Sequence, residues 1–173
     1  MKDSALSIAN YFVDKAQQEN VELRPLKLLK LVYIAHGFML ALLDYSVLNS
    51  RFDVVEAWRL GPVVPSVYHS FKHFKDQPIT SKSEVFVMDD DGHVAFETPM
   101  LEDQDARTVC DFVWNRYKGY SDSGLVTLLH KEGTPWEMFY KKDRNMVIPD
   151  EYTRVYYRGL VNYLKHMSRN GQG

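Results

Sequence analysis

The residues of this chain that could carry chemistry are six histidines, one cysteine and a few serines beside acids. His69 and His73 lie four apart, so on a helix both project from one face and could share a metal ion. Phe71 and Lys72 stand between them, no glutamate base adjoins His69, and no third ligand is evident. The expectation is a solvated helix face with no metal. His36 lies in a long apolar segment, as a hydrogen-bonded core residue would. His130 ends a helical segment, where an imidazole suits the carbonyl end of the helix dipole. If either met a carboxylate it could act as acid or base, so a small hydrolase-like enzyme using His36 or His130 is the rival reading. Spacing alone supplies no nucleophile–base geometry for it. Cys110 sits on an apolar stripe and reads as an inert buried thiol.

Other catalytic patterns are absent. No glycine is followed by lysine, which excludes a phosphate loop, and no glycine-rich dinucleotide fingerprint follows a strand. Gly119-Tyr120-Ser121-Asp122-Ser123 lacks the last glycine of a nucleophile elbow, so Ser121 or Asp122 reads as a helix cap. A single cysteine excludes an internal disulfide and a cysteine-rich zinc site. No catalytic residue, cofactor or metal is assigned.

The elements that would position these side chains are mostly helical. Residues 4–18 form a helix capped by Ser4, with Leu6, Ala9, Phe12, Val13 and Ala16 on one face. Residues 25–43 form a second helix that opens on Pro25 and is apolar nearly all round, the signature of a buried central helix. Lys27 and Lys30 on its first turns should emerge to solvent or meet carboxylates. Residues 51–58 read as a short strand, and Gly61-Pro62 as the turn after it. Pro65 opens a helix to about residue 74. Residues 84–96 form a hairpin with Asp91-Gly92 at its tip. Helices follow at 102–118 and 122–131, and Thr134-Pro135-Trp136-Glu137 starts a short one as a capping box. The last helix, 149–167, carries an inward stripe of Tyr152, Val155, Tyr156, Gly159, Leu160, Tyr163, Leu164 and Met167, with Gly159 marking a close helix approach.

The expected architecture is mainly α: a single compact helical domain over residues 1–173, built around a buried central helix, with a small antiparallel β-hairpin or sheet. Residues 168–173 form a flexible tail. The length of 173 residues suits one domain. Apolar residues at 45% and charged residues at 25% exclude disordered and collagenous classes. The polar start excludes a signal peptide, and the apolar run 31–43 is too short to cross a bilayer, so a cytoplasmic protein with no membrane partner is expected. A net charge of −2 makes nucleic acid an unexpected partner. Charge is unevenly placed: residues 76–105 carry nine acids against Lys82, net −8, and residues 141–173 carry net +4. Two electrostatically distinct faces could steer a partner.

Protein binding is the function class that remains. Aromatics make up 13% of the chain. Tyr157 is read as lying off the inward stripe beside Arg154 and Arg158, and exposed tyrosine and arginine are common interface anchors. Three segments give this reading a family. Leu26-Lys27-Leu28-Leu29-Lys30-Leu31-Val32-Tyr33-Ile34-Ala35-His36-Gly37, then Glu56-Ala57-Trp58-Arg59-Leu60-Gly61-Pro62-Val63-Val64-Pro65-Ser66-Val67-Tyr68, then Leu128-Leu129-His130-Lys131-Glu132-Gly133-Thr134-Pro135-Trp136 resemble the Panacea antitoxin domain of SocA-like phage-associated proteins. The resemblance covers roughly residues 5–165.

It implies an antitoxin that neutralises its cognate toxin, encoded by an adjacent gene, through direct binding. It also implies an alternative, since one relative acts as an adaptor delivering its toxin to an ATP-dependent protease. It gives no support for a DNA-binding role and carries over no catalytic residue. The partner-binding candidates are Lys27, Lys30, His36, Trp58, Tyr68, His130, Trp136, Arg154, Tyr157 and Arg158.

Overall fold

A computed structural model describes residues 3–171. Helix α1 (Ala5–Glu19) begins after Ser4, whose backbone N–H donates to Ser7 Oγ at 2.9 Å, while Asp53 Oδ2 accepts the Ala5 N–H at 3.0 Å. It ends at Asn20 in the left-handed region, a conformation asparagine tolerates. Helix α2 (Pro25–Leu42) is the axis of the structure, buried from Lys27 to Leu40. Helices α1, α3 (Pro65–Phe71), α4 (Gln104–Tyr117), α5 (Asp122–Leu129) and α7 (Asp150–Asn170) pack against it. Thr134 caps the short α6 (Pro135–Phe139), its Oγ1 accepting the Glu137 N–H at 3.3 Å. By length and composition the whole of α2 is long and apolar enough to cross a membrane, which the 31–43 run alone is not. Here the other helices cover it instead.

Among the described residues, two small antiparallel sheets complete the fold. Strand β1 (Glu56–Trp58) pairs with β2 (Gly61–Val63), and β5 (Met146–Val147) adds to the other edge of β1. Arg59 and Leu60 form the turn, so Gly61 opens β2 rather than turning the chain as expected. Strand β5 had no sequence signal, because two residues are too short to show an alternation. Strands β3 (Val85–Met88) and β4 (Val94–Glu97) form the expected hairpin, with Gly92 at φ +83° in its tip.

The last helix departs from expectation in its rotational setting. Thr153 and Tyr157 are buried, whereas Val155, Tyr163 and Met167 of the expected inward stripe are exposed. Gly159 meets nothing within 4 Å. The close approach is at Gly37 on α2 instead, where an added Cβ would stand 2.3 Å from the Tyr157 ring. The missing side chain leaves a seat for that ring, which Tyr33, Phe38 and Tyr156 surround with edge contacts at 5.0–6.0 Å. Filling that seat orients α7. The helix also runs to Asn170, beyond the expected end, and the last two residues of the expected tail lie outside the described residues.

Candidate protein-binding face

Lys30 comes first because its surroundings are the least ordinary. It lies on the second turn of α2 and is 0% exposed, and its Nζ donates to Pro62 O of β2 at 3.0 Å. Burial penalises the ammonium form and lowers its pKa to about 7. Lys27, one turn earlier, is also buried and donates to the carbonyl of Lys118 just past α4. Its pKa is lowered by burial, an effect that Asp122 opposes. Neither lysine reaches solvent or a carboxylate partner, contrary to the sequence expectation. Backbone carbonyls receive both amines, and the one at the end of α4 carries the negative pole of that helix.

Gly61 makes the arrangement possible. Its φ is +113°, and an added Cβ would lie 3.0 Å from Lys30 Nζ and 3.5 Å from His130 Nε2. His130 ends α5 and stacks flat on Trp136, with ring centroids 3.6 Å apart. Its Nε2 is buried without a hydrogen-bond partner. Burial, and then the nearby Lys30 charge, lower its pKa. Trp136 donates from Nε1 to Trp58 O at 2.7 Å and also stacks on Tyr140. Trp58 donates to Glu56 Oε2 at 2.7 Å and meets the Tyr68 ring edge-on at 4.9 Å. The tertiary structure thus brings Lys30, Trp58, Tyr68, His130 and Trp136 together from α2, β1, α3, α5 and α6.

Beside them lies an open groove of about 520 Å³. Leu26, Leu29, Leu60, Trp58 and Tyr68 give it apolar walls, and the exposed Arg59, Lys72 and Lys75 give it a basic rim. Sequence reasoning missed that rim and the Gly61–Lys30 contact; the positive φ at Gly61 is invisible without the β1–β2 pairing.

The other candidates lie elsewhere. His36 is buried, with Nδ1 2.8 Å from Ser46 Oγ and Nε2 3.1 Å from Asp150 Oδ1. The composition is that of a hydrolase triad, but the exposure is reversed: the Asp150 side chain is 60% exposed and the imidazole 1%. A triad buries its acid and presents its serine to substrate. Ser46 Oγ also accepts the Leu48 N–H at 3.3 Å, so the three residues strap the 44–50 loop and the start of α7 to α2. His36 and His130 share no partner. Arg154 is half-buried, with its Nε unpartnered, and Arg158 is exposed and paired with Asp44. Tyr157 was expected beside them at the surface; it is a core residue, because the rotation of α7 points it at Gly37.

Metal geometry does not develop at His69 and His73, which are exposed and lie against Tyr68 and Phe74. Among the described residues, the cluster with ligand-like spacing is Asp89, Asp91 and His93 at the tip of the β3–β4 hairpin. There Asp89 accepts the backbone N–H groups of Asp91 and His93 and faces the His93 ring, which accounts for the cluster as a turn clasp.

The family described as Antitoxin SocA-like, Panacea domain, matches residues 28–137, a span that holds Lys30, Trp58, Tyr68, His130 and Trp136. Antitoxin SocA of Caulobacter vibrioides (strain NA1000 / CB15N) is 31% identical over 134 residues, covering 78% of this chain and 69% of that protein. No solved structure matches the chain significantly. The span and the shared sequence make this chain a member of the SocA-like, Panacea-domain antitoxin family.

Proposed function

We propose that this chain neutralises a protein toxin, the product of an adjacent gene, by binding it directly at the groove beside Lys30 and Trp58. The reading rests on one observation: residues from five elements within the family span converge beside a groove with apolar walls and a basic rim. Such a groove fits an apolar polypeptide segment flanked by acids, with Trp58 and Tyr68 as anchors and Arg59, Lys72 and Lys75 steering the approach. Lys30 lines the groove, and Trp136, itself stacked on His130 and Tyr140, donates to the Trp58 carbonyl behind it, so little order has to be gained on binding. In this reading the chain makes and breaks no covalent bond and meets its partner in the cytoplasm.

The test is co-expression of the neighbouring gene with this chain, followed by calorimetry on the two purified proteins. Lys72→Glu with Lys75→Glu should leave folding intact, weaken binding at least about tenfold and restore the growth defect. An unaltered growth defect with the wild-type chain, or full affinity in the charge variant, refutes the reading. If toxin levels fall only when an ATP-dependent protease is present, the chain delivers its partner rather than shielding it.

A further inference from the structure

The β3–β4 hairpin carries an apolar face that, among the described residues, nothing covers. In its register Phe86 faces Phe96 and Met88 faces Val94, and alternation puts all four on one side. Phe86 is 61% exposed, Met88 68%, Val94 53% and Phe96 68%. The two phenylalanines meet edge-on, with ring centroids 5.8 Å apart. Four such side chains expose about 400 Å² of apolar surface, a patch size that on monomers is often functional.

The root of the hairpin is held firmly. The fully buried Asn10 of α1 donates from Nδ2 to Ser83 O and Pro99 O, both at 2.9 Å, and its Oδ1 accepts the Ser83 N–H at 2.8 Å. Lys82 pairs with Asp14 at 3.0 Å beside it. A two-stranded ribbon is marginal by itself, and this one is clamped at its base while its apolar face stays open. The segment that contains it, residues 76–105, carries net −8.

The same chain bears a surface of opposite character. Between α2, α4 and α7 lies an open groove of about 390 Å³ floored by Phe38, Leu42, Phe112 and Leu164 and edged by Lys165 and Arg169. It lies within or beside the 141–173 segment, which carries net +4. We infer that the hairpin of one copy seats its Phe86–Phe96 face in the α2–α4–α7 groove of a second copy, and that the exchange is reciprocal. One such contact is smaller than a stable interface needs, about 800 Å² on each partner, whereas two reciprocal contacts reach that scale. Apolar anchors meet an apolar floor, and the acids of the ribbon meet the basic edge. Direct packing of hairpin on hairpin would set one acidic ribbon against another.

Sedimentation analysis across a micromolar concentration series tests this with the full chain. Wild type should form a dimer that added salt weakens. Phe86→Ser with Phe96→Ser, and separately Leu164→Glu, should each raise the dissociation constant by roughly a hundredfold, the scale of losing an anchor residue. Circular dichroism establishes that each variant is folded. Mixing the two variants should give a heterodimer weaker than the wild-type dimer but tighter than either variant alone, because one of the two contacts, an intact hairpin in an intact groove, remains. A wild-type chain that stays monomeric overturns the inference. So does a hairpin variant that still dimerises as wild type does, self-association that tightens with salt, or a mixture that associates no more than either variant alone. A hairpin variant that changes only toxin binding assigns the patch to the toxin and likewise overturns it.

Discussion

Lys30→Met offers a measurement whose sign should reverse with pH. The amine is fully buried, and its pKa falls from 10.5 to about 7 because burial penalises the charge. Between those values the unfolded chain holds a proton that the folded chain releases, so stability rises with pH across the window. Below pH 7 both states are protonated and the full cost remains. At about 1.4 kcal/mol per pKa unit, the buried amine costs the wild type about 4 kcal/mol at pH 7 and about 1 kcal/mol at pH 10. Methionine keeps the length of the side chain but strands Pro62 O, at a cost of about 1–3 kcal/mol at any pH. The variant should therefore be more stable than wild type by about 1–3 kcal/mol near pH 7 and less stable above pH 10. Urea unfolding at several pH values gives the difference directly, and groups that Lys30 does not influence cancel. The His130 titration followed by NMR is a second readout: without the Lys30 charge its pKa should rise. A stability difference that does not change with pH would refute the argument that the buried charge is the dominant cost.

Four further outcomes follow from the packing. Gly37→Ala drives a Cβ into the Tyr157 ring at 2.3 Å and should cost about 1–3 kcal/mol by thermal unfolding, part of which Tyr157→Leu should recover. Asn10→Ala removes one buried and two half-buried hydrogen bonds at the root of the β3–β4 hairpin and should cost about 2–3 kcal/mol, with hydrogen exchange accelerating in the hairpin before the rest of the chain. Trp136→Phe deletes the donor to Trp58 O and should cost about 1–2 kcal/mol in urea unfolding. The hydrogen bond from His36 lowers the Asp150 pKa, so Asp150 contributes stability above the ordinary carboxylate value that is lost as pH falls through its folded-state value. Asp150→Asn should flatten that acid limb of the stability profile.

Much of the candidate face was legible in the sequence as an ordered set of motifs. Lys30, Trp58, Tyr68, His130 and Trp136 were all picked out, and the structure gathers them. Their roles were less legible. Lys30 read as a surface lysine because its acceptor, Pro62 O, is thirty-two residues away. Arg59, Lys72 and Lys75 read as unrelated charges until β1, β2 and α3 set them around one groove.

Local patterns determined the helices. Apolar residues at helical spacing, prolines at first turns and capping side chains placed every helix to within a few residues, because these signals act within one or two turns of chain. The all-apolar α2 foretold its burial for the same reason. Tertiary structure alone decided how α7 is rotated, where the lysine amines go and that β5 exists. Tyr156, Leu160 and Leu164 of the expected stripe do pack against the core, and the vacancy that Gly37 leaves on α2 turns the helix further, toward Thr153 and Tyr157, a contact made across about 120 residues of chain.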